Sequence, residues 1–289
     1  MIHTLENGDL TVQISGMGAE LQSVRSKDGT EYIWDGSHES LRLRAPLLFP
    51  FVSRLYESSY KIEGKTYEMP FLGFCYDREF VLKEAGSTYA VYVLRSSEET
   101  KRYYPFEFVL EMGYLLDGTE LKVSIDVYNR DQKTMYFSLG WHPTLRVPLE
   151  NGLCFDDYSY VFDRPARPLK IEREDGKYLG AFQPFPLEED IRLPFRDSWM
   201  DEQGVIVLRD VAKSFTLSSE KGRHGVTVSY PDMRLLVLMH KRGVPYITAE
   251  AWTSFMGRKG IVEELSGQPD LVPLSPGGFY RNTWSLKFF

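Results

Sequence analysis

Residues 121–128 alternate without a break. Leu121, Val123, Ile125 and Val127 fall on one side, Lys122, Ser124, Asp126 and Tyr128 on the other. That is the period of a strand with one buried face. Asn129, Arg130, Asp131 and Gln132 then supply turn chemistry. A second apolar run, Met135 to Leu139, ends in Gly140-Trp141-His142-Pro143, where the backbone must turn. The same grammar recurs along the chain. Short alternating or apolar stretches at 9–15, 19–24, 32–35, 60–67, 89–95 and 106–112 are separated by turn residues. So are those at 153–162, 204–208, 215–218, 226–230, 235–239, 246–252 and 283–288. Residues 163–200 are charged, broken by Pro165, Pro168, Pro184, Pro186 and Pro194, and read as irregular. Many short strands predict an all-β fold, a large antiparallel β-sandwich of two sheets packed face to face. No linker or composition shift divides the chain, so residues 1–289 read as one domain.

Composition narrows the function. Net charge is −7 with Lys and Arg scattered, so no basic stripe offers itself to a nucleic acid. The longest apolar run, Ala45 to Val52, holds two prolines and is too short to span a membrane. The amino terminus shows no basic segment followed by an apolar one, so a cytoplasmic protein is expected. Cys75 and Cys154 fit neither a disulfide framework nor a zinc site and read as two reduced thiols. His3, His38, His224 and His240 lack ligand spacing, and no glycine-rich phosphate loop or Gly-x-Ser-x-Gly elbow occurs. Neither a metal nor a cofactor is expected. Aromatic content is 14%, which suits strands and also suits platforms for sugar rings.

Two side chains stand out. His142 lies at a strand end before a proline, where chemistry often sits, or where a structural histidine donates to a carbonyl. Glu250 lies among Ile247, Ala249 and Trp252, a costly place for a carboxylate unless it faces outward from an edge strand. If the two converge on one pocket they form an acid/base pair across a substrate. Arg54 ends the extended segment 44–54, either at a site or in an ion pair.

These residues carry a resemblance. APLLFPFVSRL, GFCYDREF, YPFEFVLEMGYLLDGTELKVSIDVYN, FSLGWHPTLRVPL and PYITAEAW, spread from Ala45 to Trp252, resemble the aldose 1-epimerase (galactose mutarotase) family, most of all its bacterial lactose-operon branch. The resemblance implies a large antiparallel β-sandwich, a small-molecule sugar substrate, a monomer or homodimer and a cofactor-free reaction. It implies Glu250 as the base on the anomeric hydroxyl and His142 as the acid on the ring oxygen. It also implies a sugar-binding set of Arg54, Tyr76, Asp77, Gln203 and Trp252. The chain departs from the family pattern at several points. Leu72 stands where the family usually has a sugar-binding His, and Tyr76 where it has an Arg. Gln203 falls near a family Asp, and Ala251 replaces a Pro. A non-catalytic sugar-binding protein of the same fold is the alternative. A sugar-phosphate 1-epimerase is another, with Arg54 and Arg78 as its candidate basic groups.

Overall fold

The computed structural model describes residues 1–199, 204–268 and 270–289. Two large antiparallel sheets dominate them. The first orders its nine strands 192–194, 158–162, 214–219, 226–229, 279–288, 120–129, 108–117, 89–95 and 81–85. At its centre Glu120–Asn129 pairs with both Phe108–Asp117 and Phe279–Phe288. Leu121, Val123, Ile125 and Val127 are buried, as their alternation requires.

The second sheet carries the candidate site. Its seven strands run in the order 177–184, 169–174, 206–209, 235–238, 250–252, 140–141 and 47–48. Both of its faces are apolar. Leu208, Leu236, Ala251 and Trp141 join the main core between the sheets. Their neighbours Val207, Leu235, Val237 and Trp252 turn the other way, into a separate outer cluster with Leu48, Val52 and Ile171. A strand covered on both sides reads as a continuous apolar run. That is why Ile206-Val207-Leu208 and Leu235–Leu238 show no alternation in sequence.

Trp141 fixes the strand that leads to His142. It is fully buried, its indole N–H donates to the Ala45 carbonyl at 2.9 Å, and its ring meets Trp284 edge-on at 5.1 Å. Trp284 belongs to the central strand 279–288 of the opposite sheet, so this aromatic contact ties the two sheets together.

Three expectations need correction. Residues 163–200 are not irregular: strands Leu169–Glu174 and Lys177–Pro184 form a hairpin, and Arg192–Pro194 is a further strand. The hairpin turns on Asp175-Gly176, both with positive φ, the geometry that Asp-Gly favours. Pro184 and Pro194 are tolerated because both strands lie at sheet edges. Residues 246–252 form two strands, Tyr246–Thr248 and Glu250–Trp252. Residues 32–35 make only isolated bridges. A short helix, Glu98–Tyr103, also escaped the strand reading although Ser97 and Thr100 cap it reciprocally.

Trp141→Ala should lower stability by about 3–5 kcal/mol, since it empties a fully packed inter-sheet site. Urea unfolding measures this, and a loss below about 1 kcal/mol would contradict the anchoring role.

Candidate active site

Strand register brings the two sequence-distant side chains together. Gly140 lies opposite Trp252 and Trp141 opposite Ala251. Three residues further on, Thr144 lies opposite Thr248 and Leu145 opposite Ile247. The same register therefore sets His142 against Glu250. The ladder lapses between these pairs because Pro143 has no N–H to give. Its carbonyl still accepts from Ala249 N–H at 2.8 Å, which holds the two chains at pairing distance. This is also why 246–252 divides into two strands.

His142 and Glu250 both project onto the outer face of the seven-stranded sheet. Nε2 of His142 lies 3.3 Å from Oε2 of Glu250. The other carboxyl oxygen accepts the Trp252 indole N–H at 2.6 Å. His142 is held from behind by its own N–H on the Pro46 carbonyl at 3.1 Å. Its Nδ1 lies 3.4 Å from the Thr144 hydroxyl. Glu250 is not on an edge strand: Glu250–Trp252 sits between 235–238 and 140–141, and the residue is 3% exposed. The expectation that acid and base face each other across a substrate is also corrected. They stand side by side and touch.

Burial governs their protonation. Desolvation pushes the Glu250 carboxyl up to about 8, with the Trp252 hydrogen bond pulling it partly back. Desolvation holds the His142 imidazole down at about 4. Near neutrality the pair therefore holds one proton between two touching atoms, and burial favours the neutral carboxyl–imidazole arrangement over the ion pair.

The rim is aromatic and cationic. Arg54 is exposed, its guanidinium lying over the Phe71 ring at 4.3 Å, and it makes no ion pair among the described residues. Its stem packs against Gly176, in the turn of the hairpin that sequence reading missed. Tyr178 of that hairpin stacks on Phe255 at 5.3 Å, with Phe182 beside both, and all three pack on the outer apolar cluster. The Asp175-Gly176 pair was the signal that would have found them.

Leu72 also packs against this cluster, at a left-handed φ of 67°. An apolar contact thus stands where the resemblance leads one to expect a polar one. Tyr76 and Asp77 lie in the 3₁₀ turn Cys75–Asp77. The backbone of Tyr76 packs on Gly18, and Asp77 faces the Arg78 guanidinium at 3.6 Å. Among the described residues neither is hydrogen-bonded to His142 or Glu250. Gln203 lies outside the described residues.

Gly140 explains how Trp252 reaches Glu250. A Cβ at this position would lie 2.7 Å from the Trp252 ring and 3.0 Å from Val52. The bare glycine leaves room for the indole to lie across the strand.

The aldose 1-epimerase family profile matches residues 1–281. The chain is 30% identical over 287 residues to "Protein LacX, plasmid" of Lactococcus lactis subsp. lactis, covering 94% of each. A galactose mutarotase related enzyme from Lactobacillus acidophilus superposes with a TM-score of 0.94 at 25% identity, over 100% of this chain and 97% of that one. A galactose mutarotase-like protein from Lactobacillus casei gives 0.92 at 27% identity over the whole of both chains. The chain belongs to the aldose 1-epimerase family. Its two packed antiparallel sheets are the galactose mutarotase-like fold of these neighbours.

The shared proton has a consequence for stability. Unfolding returns Glu250 to its ordinary 4.5 and His142 to 6.5, whereas the folded pair gains its first proton near 8 and its second near 4. From pH 4.5 to 6.5 both states hold one proton, and this pair leaves stability level. From pH 6.5 to 8 only the folded state keeps it, so stability falls as pH rises, by on the order of 2 kcal/mol. Below 4.5 the unfolded state holds two protons and stability falls as pH falls. Urea midpoints taken between pH 6.5 and 8 should show this decline in the wild type. In Glu250→Gln the pair's alkaline decline should be gone, because the remaining His142 is neutral in both states there.

Proposed function

We propose that the protein is an aldose 1-epimerase, which interconverts the α and β anomers of an aldose by opening and reclosing the ring. The observation that carries this reading is the His142–Glu250 contact on a buried apolar face. The anomeric hydroxyl oxygen and the ring oxygen are bonded to the same carbon. Proton transfer at both calls for two groups set side by side, not far apart.

On this reading the sugar's hydroxyls enter a site poor in hydrogen bonds and stabilise the charged arrangement of the pair. The single proton then rests on His142, and Glu250 is a carboxylate. Glu250 removes the proton of the anomeric hydroxyl, and the electron pair forms the aldehyde C=O. The bond from C1 to the ring oxygen breaks, and His142 protonates that oxygen. Rotation about C1–C2 presents the other aldehyde face. The ring oxygen attacks as its proton returns to His142, and Glu250 protonates the new anomeric oxygen. Atoms and charge balance over the cycle, and the pair ends with its one proton. Trp252 holds the carboxyl group through its indole N–H. The Arg54–Phe71 pair and the Tyr178–Phe255 stack line a rim suited to the polar edge and apolar face of a pyranose.

Leu72 bears on specificity. A leucine offers no donor to a sugar hydroxyl, so this chain would bind such a hydroxyl more weakly, or prefer a sugar that lacks it. The free cysteines, Cys75 buried and Cys154 exposed, are in keeping with action in the cytoplasm.

Polarimetry of freshly dissolved α-aldoses tests the reading. Wild type should accelerate mutarotation of at least one aldose. Glu250→Gln and His142→Asn should each lower kcat by about 10²–10⁴-fold, the usual worth of a positioned acid or base. No acceleration across a panel of aldoses, with sugar binding retained, would favour a non-catalytic sugar-binding protein. Leu72→His should lower KM for at least one aldose about tenfold by supplying a hydrogen bond. An unchanged KM across the panel would remove residue 72 from the sugar site.

A further inference from the structure

A cleft of about 580 Å³ adjoins the outer face of the seven-stranded sheet beyond Trp252. It lies on the same sheet face as the proposed sugar site: Leu235 of its wall belongs to the outer apolar cluster and lies opposite Trp252. Arg209 is the next residue in that row, opposite Leu235. Strand spacing puts its backbone about 10 Å across the sheet and about 7 Å along it from that of Glu250. A long side chain at one end and a sugar ring with one exocyclic arm at the other can bridge that gap.

The walls are built for an anion. Arg209, Lys213 and Arg234 meet there with Asp210 and Asp270, an excess of positive charge in a chain whose net charge is −7. Each carboxylate is already engaged: Asp210 with Arg209 at 3.0 Å and Asp270 with Arg234 at 2.5 Å. A guanidinium has five N–H donors, so both arginines keep donors to spare. Arg209 is further held over the Phe182 ring at 4.9 Å. Lys213 is partly buried, donates to the Met233 carbonyl and makes no ion pair among the described residues. Burial lowers its pKa, with Arg164 and Arg234 adding to the effect and Asp210 and Asp232 opposing it. Ser254 also lines the cleft. It is 1% exposed, and its buried hydroxyl has no hydrogen-bond partner among the described residues. A buried hydroxyl left unpaired is costly and calls for an acceptor. Spare guanidinium donors, an ammonium without an ion pair among the described residues and an unpaired hydroxyl can all be met by one anionic group with several acceptor oxygens.

We propose that this cleft binds the anionic substituent, a phosphate or a carboxylate, of an aldose whose anomeric carbon lies at His142 and Glu250. The inference rests on the epimerase reading and names its substrate class. It relocates the basic groups expected from sequence. Arg78 is taken up by Glu99 at 2.7 Å, and Arg54 lies over Phe71.

Mutarotation of glucose, glucose 6-phosphate and glucuronate, followed by polarimetry, tests it. Wild type should turn over one of the two anionic sugars with a kcat/KM at least tenfold above that for glucose. Which one it favours distinguishes a phosphate from a carboxylate ligand. Lys213→Met and Arg234→Gln should each cut that ratio about tenfold to a hundredfold, through KM. The Arg234 side chain is 62% exposed, so that variant keeps the test open if Lys213→Met fails to fold. Calorimetry of the favoured sugar on Glu250→Gln should show binding that Lys213→Met, added to it, weakens to the same degree. Glucose turned over as well as both anionic sugars, or ratios unmoved in both variants, would overturn the anion cleft and leave the epimerase reading intact. No acceleration of any aldose would sink the epimerase reading, and this inference with it.

Discussion

Antiparallel register sets His142 opposite Glu250, and the rest of the candidate site depends on that pairing. It is secured on both sides by Gly140 against Trp252 and by Thr144 against Thr248. Slipping the strands by one residue would exchange the two faces and send both side chains into the inter-sheet core. Trp141 makes such a slip costly. It occupies that core, against Trp284, and its neighbour in the chain is thereby committed to the outer face. Packing between the sheets thus determines where the chemistry stands outside them.

Water is largely excluded from the pair, and this decides its electrostatics. A sheet with a solvated outer face would leave Glu250 ionised and His142 near its ordinary pKa. Here the outer face is covered by Val52, Leu72, Phe255 and the Tyr178 and Phe182 side chains of the edge hairpin. Both charged forms are penalised, and the proton is shared between neighbours. A group poised to give and take a proton near neutral pH is what ring opening needs. The low dielectric that costs stability at alkaline pH also strengthens each hydrogen bond a sugar would make there.

Legibility in the sequence followed the physics of exposure. Residues 121–128 were readable because one face meets the core and the other meets solvent. Ile206–Leu208 and Leu235–Leu238 were recognisable as strands, but nothing in them tells a one-sided from a two-sided covering, so the outer apolar face stayed hidden. His142 and Glu250 could be singled out by residue type and by resemblance. Their direct contact could not, since it follows from a register that spans most of the carboxy-terminal half. The prolines of 163–200 concealed a hairpin because a proline that breaks a central strand is harmless at an edge. With that hairpin went the aromatic rim. Arg54 was left open between a site and an ion pair, and it lies exposed over the Phe71 ring. Tyr76 and Asp77 were read from a local motif, and their turn packs on Gly18 and Arg78.

The glycine at 140 couples two motifs that lie far apart in the chain. Its missing side chain is the seat of the Trp252 ring, and that ring carries the N–H that steadies Glu250. Gly-Trp-His and Glu-Ala-Trp are therefore halves of one steric unit. A methyl group at 140 would displace the indole, and with it the hydrogen bond to the carboxyl group. Among descendants of this sequence, a larger residue at 140 and a smaller ring at 252 should arise together or not at all.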